Sequence, residues 1–581
     1  MKRTKVSKAG FLIDGKPFRI LSGAIHYFRT VPEQWEDRLR KLQLMGLNCV
    51  ETYVAWNMHE PRPGKFEFTG MADIEQFIAL AGGMGLKVIV RPGPYICSEW
   101  DFGGLPGWLS VLPDMRLRCN NAAFLDAVGR FFAELLPRLE RYSHVNGGPI
   151  IALQVENEYG SYGTDKAYLT ALKNILEQQM PKLALFTSDG ALDYMLQGGM
   201  IEGVWETVNF GSGTSCQREK LREYQPDLPF MCGEFWNGWF DHWGEEHHVR
   251  DAADAAQSLD EILQNDGQVN IYMFHGGTNF GFMNGANRPE IRDYQPTVTS
   301  YDSDAPLNEC GDITPKYLAH RKVLAKYNAA VDLAAPLPSP CLKKAYGVVE
   351  LGKRAGLFDN LGNISRCHMA PLPLCMERLG QNYGFILYRR RLRGPYLDVT
   401  LTVQEPRDRA QIFLDGRQIA IMHVNDKEHS VKITVPETGA MLEILVENLG
   451  RVNYGAFLED SFKGITTGVR IEQQFLHDWE IYPLPLDDLA GLEYGDSQLD
   501  GLPAFYKAEF EVDAPADTWL KVQGTKGCCW INGFNIGRYW DVGPERNLYV
   551  PAPLLKTGKN VLTIFELHEL KQQVVEFVEK P

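Results

Sequence analysis

From about residue 19 to 330, short apolar or β-branched runs alternate with segments whose apolar residues recur at a spacing of three and four. The short runs read as buried strands, and the three-four spacing reads as one face of a helix. Strands are predicted at 20–26, 49–56, 87–92, 150–155, 184–188, 203–208, 230–235 and 270–274. Helical spacing falls at 33–45, 74–84, 124–139, 168–179, 252–263 and 317–327, while the interval between the fifth and sixth strands is too short for a convincing helix. Eight strands alternating with helices predict a (β/α)8 TIM barrel over 1–330.

After the Pro-rich stretch 334–340 the helical period stops, and alternating strands with Gly, Asn and Asp turns take over. Sliding this half on itself shows three weak matches in nearly one register. Leu387-Tyr388-Arg389 returns as Phe505-Tyr506-Lys507, and the eight residues from Phe413 to Ala420 return as Trp530 to Gly537. Ile444-Leu445-Val446-Glu447 returns as Thr563-Ile564-Phe565-Glu566. Asp415-Gly416 and Asn532-Gly533 are two-residue turn signals, because both central residues of a type I′ turn need positive φ. Two related all-β jelly-roll sandwiches are therefore predicted, over 331–485 and 486–581.

Composition narrows the function classes. A net charge of −15 with no long run of Lys and Arg lacks the electrostatic footprint of a nucleic-acid or anionic-lipid binder. The basic start, Met1 to Lys5, is followed before Asp14 by an apolar run of only three residues, Phe11-Leu12-Ile13, and no stretch approaches a membrane span, so a cytoplasmic protein is expected. Eleven cysteines without paired CxxC units signal neither a disulfide framework nor a zinc site. The sequon Asn363-Ile364-Ser365 matters only in an exported chain.

Candidate chemistry sits where the fourth and seventh strands end, on opposite sides of a barrel. The fourth ends Gln154-Val155-Glu156-Asn157-Glu158, and the seventh ends Gly233-Glu234-Phe235-Trp236. One Glu at a loop mouth is ordinarily a solvated carboxylate. Two at opposed strand ends, each set among aromatic residues, match what retaining glycoside cleavage needs, namely a protonated and an ionised carboxyl roughly 5 to 5.5 Å apart. Strand alternation sends Glu156 and Glu158 to one face, so the pattern alone leaves the choice between them open.

At these positions the chain resembles the β-galactosidases of glycoside hydrolase family 35, in their short bacterial form. The likeness is carried by residues 21–29, by the 51–61 stretch containing Tyr53, by 91–100 with Cys97-Ser98-Glu99, and by 273–281, and it continues into both β units. It implies Glu158, after Asn157, as general acid/base and Glu234 as nucleophile of a double displacement that needs no cofactor or metal. It also implies a galactose-holding shell of Tyr53, Cys97, Ser98, Glu99, Asn157, Tyr272 and Tyr301. Ser98 stands where the family usually has Ala, and Ser303 replaces the second Tyr of its Ser-Tyr-Asp-Tyr-Asp pattern.

Trp236, Trp239 and Trp243 follow the nucleophile as a rim for the leaving sugar, or as a plug between barrel and β unit. By the same resemblance, members with such a Trp set favour β-1,3-linked galactosides. Physical alternatives remain for the shell: Cys97 as a buried small hydrophobe, Glu99 paired with Arg91, and Tyr272 in the core. The expected partner is a galactose-terminated oligosaccharide or glycoconjugate, and a homodimer fits this kind of enzyme. The rival readings are an exo-β-glucosaminidase of the same clan and a non-catalytic galactoside-binding protein, the latter opposed by the intact carboxyl pair.

Overall fold

The computed structural model describes residues 2–495, 501–570 and 572–581. Met1, and within the span 486–581 residues 496–500 and 571, lie outside the described residues. Eight parallel strands close into a barrel: Leu21–Ile25, Cys49–Tyr53, Lys87–Arg91, Ile150–Gln154, Ala184–Asp189, Trp205–Phe210, Met231–Trp236 and Gln268–His275. Pairing of Val269 with Leu21 joins the last strand to the first. Residues on both faces of these strands are buried, as expected when side chains fill the interior and helices cover the outside. Side-chain caps mark where the surrounding helices begin. Asp73, Asn121, Asp165 and Thr314 each accept a hydrogen bond from the backbone N–H three residues on. Between the fifth and sixth strands only the seven-residue helix Asp193–Gly199 fits. An N-terminal hairpin, Thr4–Ser7 with Gly10–Ile13, places Phe11 in the apolar cluster of Ile20, Ile151, Phe186 and Trp205.

The β half forms two sandwiches whose main sheets repeat one strand order. In the first, Phe385–Leu392, Ala440–Glu447, Arg409–Leu414 and Arg417–His423 lie side by side. In the second, Ala504–Val512, Gly558–Glu566, Lys526–Ile531 and Phe534–Trp540 do the same. Both hairpins turn where the sequence places them, with φ of 47° and 71° at Asp415-Gly416 and 51° and 87° at Asn532-Gly533. The third repeat match is one residue out of register. Leu387 faces Leu445 and Phe505 faces Phe565, so Phe565 rather than Ile564 stands in the place of Leu445. The related sheets pack on each other through Phe385, Leu387 and Phe413 against Phe505, Trp530 and Phe565.

One assignment changes. Gly347–Glu350 and Lys353–Gly356, within the span expected for the first β unit, pair with Val574–Val578 and Ala504–Val512 of the second. Alternation identifies a strand but not its partner, and here the chain contributes two strands to the second sandwich before it builds the first.

A third element ties barrel to sandwich. Ala286–Asn287, from the loop after the eighth barrel strand, pairs with Gln295–Pro296 and with Val452–Tyr454 of the first sandwich. Arg451, fully buried, reaches Asp101 at 3.2 Å and Glu377 at 2.5 Å, anchoring that segment over the C-terminal mouth of the barrel. Among the described residues no helix is long and apolar enough to cross a membrane.

Candidate active site

A cavity of about 220 Å³ opens at that mouth, lined by Glu158 and Glu234 with Tyr53, Cys97, Ser98, Glu99, Asn157, Tyr272 and Tyr301. Five lining residues, Cys97, Ser98, Glu99, Glu158 and Ser303, hold left-handed backbone with φ between 46° and 58°. That region costs a non-glycine residue of order 1 kcal/mol or more, and such strain gathers at working sites. Three of the five, Cys97 to Glu99, are consecutive in the loop after the third strand and line the cavity together.

The two carboxylates that strand alternation sends to one face part in space. Glu156 is fully buried away from the cavity, gripped by Arg118 at 2.8 and 2.9 Å and by the Tyr168 hydroxyl at 3.0 Å. Glu158 begins the short helix Tyr159–Tyr162 and turns into the cavity, where its Oε1 accepts from Asn209 Nδ2 at 2.9 Å. Burial, and then the neighbouring Glu234 charge, push the Glu158 carboxyl up to about 8.

Glu234 sits among donors instead. Arg91 Nη2 lies 2.7 Å from Oε1, Tyr53 donates to the same oxygen at 2.8 Å, and Trp236 Nε1 donates to Oε2 at 3.2 Å. A guanidinium and two N–H or O–H donors on one carboxyl suit its ionised form. Arg91 also donates to Gln154 and, at 2.5 Å, to Asn157 Oδ1. The Asn157 oxygen is thus occupied, while its Nδ2 makes only a 3.5 Å contact with the Ile96 carbonyl.

Glu99 does not pair with Arg91. Tyr301 donates to its Oε2, Asn453 approaches Oε1 at 3.5 Å, and burial pushes the carboxyl up to about 7. Ser98 faces Arg29, which donates to its hydroxyl at 3.1 Å and to its carbonyl at 2.5 Å. The Ser98 side chain therefore has a protein partner of its own. Cys97 is buried with its sulfur 3.5 Å from Asn453 Nδ2. Tyr272 and Tyr301 place their hydroxyls 3.5 Å apart at the cavity wall.

The tryptophans divide. Trp236 and Trp239 meet edge to face at 5.5 Å on the rim, and Trp239 is 42% exposed. Trp243 is buried 6.2 Å from Trp540 of the second sandwich and does not line the cavity. Its apolar bulk seals barrel to β unit, so the plug describes Trp243 and the rim describes the other two.

The sequence reading missed several participants. Arg91, weighed only as a partner of Glu99, pairs with Glu234 instead, and as a charge ending an otherwise apolar buried strand it carried a usable signal. Asn209 lies just past the predicted end of the sixth strand, which runs to Phe210. Gly238, Phe240 and Asn287 complete the wall without any pattern to mark them.

Comparison with known proteins gives matches along most of the chain. The profile for "Glycosyl hydrolases family 35" covers residues 10–327, that for "Beta-galactosidase, first all-beta domain" covers 373–485, and that for "Beta-galactosidase, galactose-binding domain" covers 503–560. Among curated relatives, the Beta-galactosidase of Mus musculus is 42% identical over 97% of this chain and 91% of its own. The Beta-galactosidase of Homo sapiens is 41% identical over 97% and 86%, and Beta-galactosidase 8 of Oryza sativa subsp. japonica 38% over 98% and 92%.

Proposed function

The chain belongs to the glycosyl hydrolases of family 35 and is a β-galactosidase, and we propose that it removes terminal, non-reducing β-D-galactose by double displacement, with Glu234 as nucleophile and Glu158 as general acid and base. The observation that carries this reading is the contrast between two carboxyls on one cavity. Glu234 is surrounded by a guanidinium and two further donors, whereas Glu158 has a single amide donor and is pushed up to about 8. Different surroundings for two carboxyls of one cavity are what assign their roles.

In the first step the ionised Glu234 attacks the anomeric carbon while Glu158 protonates the departing glycosidic oxygen. A galactosyl ester of Glu234 forms and the leaving sugar departs with the proton. Loss of the Glu234 charge on esterification removes one cause of the raised Glu158 value, which makes Glu158 a carboxylate when a base is needed. It then takes a proton from water as the water attacks, and galactose leaves with its original β configuration. Asn157 Nδ2, free of a strong protein partner, suits the 2-hydroxyl, where contacts strengthen in the transition state. Glu99, held by Tyr301, is placed to accept from other ring hydroxyls. The cavity volume suits one sugar ring, which supports cleavage from the chain end. A preference for β-1,3-linked galactosides is the finer part of the proposal, supported by the two rim rings Trp236 and Trp239.

The test is turnover of p-nitrophenyl β-galactoside beside the β-glucoside and β-glucosaminide, with the product anomer followed by NMR. β-Galactose formed first from the galactoside, and lost in Glu158→Gln and Glu234→Gln, is expected. α-Galactose as first product rules out double displacement, and preferential glucosaminide turnover favours the rival clan activity.

A further inference from the structure

Beyond the catalytic cavity, on the Glu158 side, the surface continues into a groove of about 530 Å³. Tyr454 lines both spaces, so the two adjoin at one ring. One bank of the groove is the segment that follows Glu158 directly, through Tyr162 and Gly163. The barrel loop at Arg116 to Cys119 forms another, and Tyr454 to Glu459 of the first sandwich completes it.

The banks are tied together. Glu459 accepts from Leu117 N at 2.7 Å and lies 2.8 Å from Arg116 Nη2, clamping sandwich to barrel loop. Arg118 lies between aromatic rings, 3.6 Å from the centre of Tyr95 and 4.2 Å from that of Tyr162, which holds the Tyr162 ring in place at the groove wall. The groove charges are balanced: Arg118 is matched by Glu156 and Arg116 by Glu459. A volume within the usual range for ligand sites, aromatic walls, scattered polar groups and no net charge describe a surface for a neutral glycan.

Direction follows from chemistry. The group protonated by Glu158 is the oxygen of the leaving sugar, so the reducing-end remainder of a substrate emerges on the Glu158 side. On that side the exposed Tyr454 ring borders both the cavity and the groove. We propose that this groove, formed jointly by the barrel and the first sandwich, binds the second and later sugars of a neutral oligosaccharide leaving group. The inference rests on the assignment of Glu158 as the general acid. It makes the enzyme a trimmer of galactose from oligosaccharide chains rather than from small aglycones, with the sandwich contributing to substrate length preference.

The experiment compares p-nitrophenyl β-galactoside, a β-galactosyl disaccharide, and the tri- and tetrasaccharides that extend that disaccharide at its reducing end with neutral sugars. Galactose release gives kcat and KM for each, in the unmodified enzyme and in Tyr162→Ala and Ala456→Arg. The first variant removes a wall ring and the second fills the groove from an exposed position. The expected result is a kcat/KM about tenfold higher for the tetrasaccharide than for the disaccharide, arising in KM, an effect equivalent to about 1.4 kcal/mol. Both variants should flatten the series and cleave the nitrophenyl substrate at the normal rate. Should Tyr162→Ala not fold, Ala456→Arg decides alone. A flat series in the unmodified enzyme, or a rise that persists in the folded variants, overturns the groove while leaving the proposed function intact. No turnover of any galactoside overturns both.

Discussion

Replacing Asn209 with Leu isolates the one amide that holds the ionised form of Glu158. Asn209 Nδ2 donates to Glu158 Oε1 at 2.9 Å, and a carboxylate accepts more strongly than a carboxylic acid. The bond thus opposes burial and the Glu234 charge, which together raise the group to about 8. A hydrogen bond to a charged group is worth about 1.5 to 3 kcal/mol net, and the partly exposed Glu158 warrants the lower figure. At 1.36 kcal/mol per pH unit, losing it should raise Glu158 by about one further unit. Because the first step needs Glu158 protonated in the free enzyme, kcat/KM falls as pH rises through its value. The alkaline limb should therefore move from about 8 in the unmodified enzyme to about 9 in Asn209→Leu. The assay is the pH profile of kcat/KM on p-nitrophenyl β-galactoside, with melting curves to show that both proteins stay folded. An unmoved limb, or one displaced toward acid, would refute Glu158 as the group behind it.

Three other substitutions probe separate links. Tyr53→Phe removes a donor that reaches Glu234 Oε1 at 2.8 Å and Asn157 at 2.9 Å; kcat/KM should drop about tenfold to hundredfold by the same hydrogen-bond magnitude, and a loss under about twofold would deny Tyr53 a role in the transition state. Trp239→Ala should raise KM for a disaccharide at unchanged melting temperature, while Trp243→Ala, which empties a buried position against Trp540, should lower the melting temperature and spare KM; the reverse pattern would exchange their roles. Arg451→Met leaves Asp101 and Glu377 buried without their cation, a cost of about 3 to 5 kcal/mol, so both stability and the placement of Tyr454 should suffer, visible as a lower melting temperature and a raised KM.

The sequence made the barrel legible because a period near 3.6 alternates with short apolar runs up to about residue 330, and made the β half legible because the period then changes to two. The repeat was visible in its turns, where Asp415-Gly416 and Asn532-Gly533 leave little conformational choice. Strand partnership was not, since nothing local in Lys353–Gly356 says that it pairs with Ala504–Val512. A similar limit applies in the cavity. Glu156 and Glu158 share a strand face in pattern, and what separates them is Arg118, whose guanidinium takes Glu156 out of the site. The position of Tyr454 at the cavity depends on the pairing of Val452–Tyr454 with Ala286–Asn287, which nothing local in either segment shows. Arg91 was readable as a charge at a buried strand end, but its partner, Glu234, comes from four strands further round the barrel.

The central claim is that Glu234 becomes covalently joined to galactose while Glu158 does not. Incubation with a 2-deoxy-2-fluoro-β-galactoside bearing a good leaving group slows both steps and lets the ester accumulate, and intact-mass measurement followed by peptide mapping locates it. The account predicts one fluorogalactosyl group per chain, on the peptide containing Glu234, absent from Glu234→Gln and formed in Glu158→Gln. A label on Glu158 or Glu99, or steady release of the leaving group with no covalent species at any time, would contradict it.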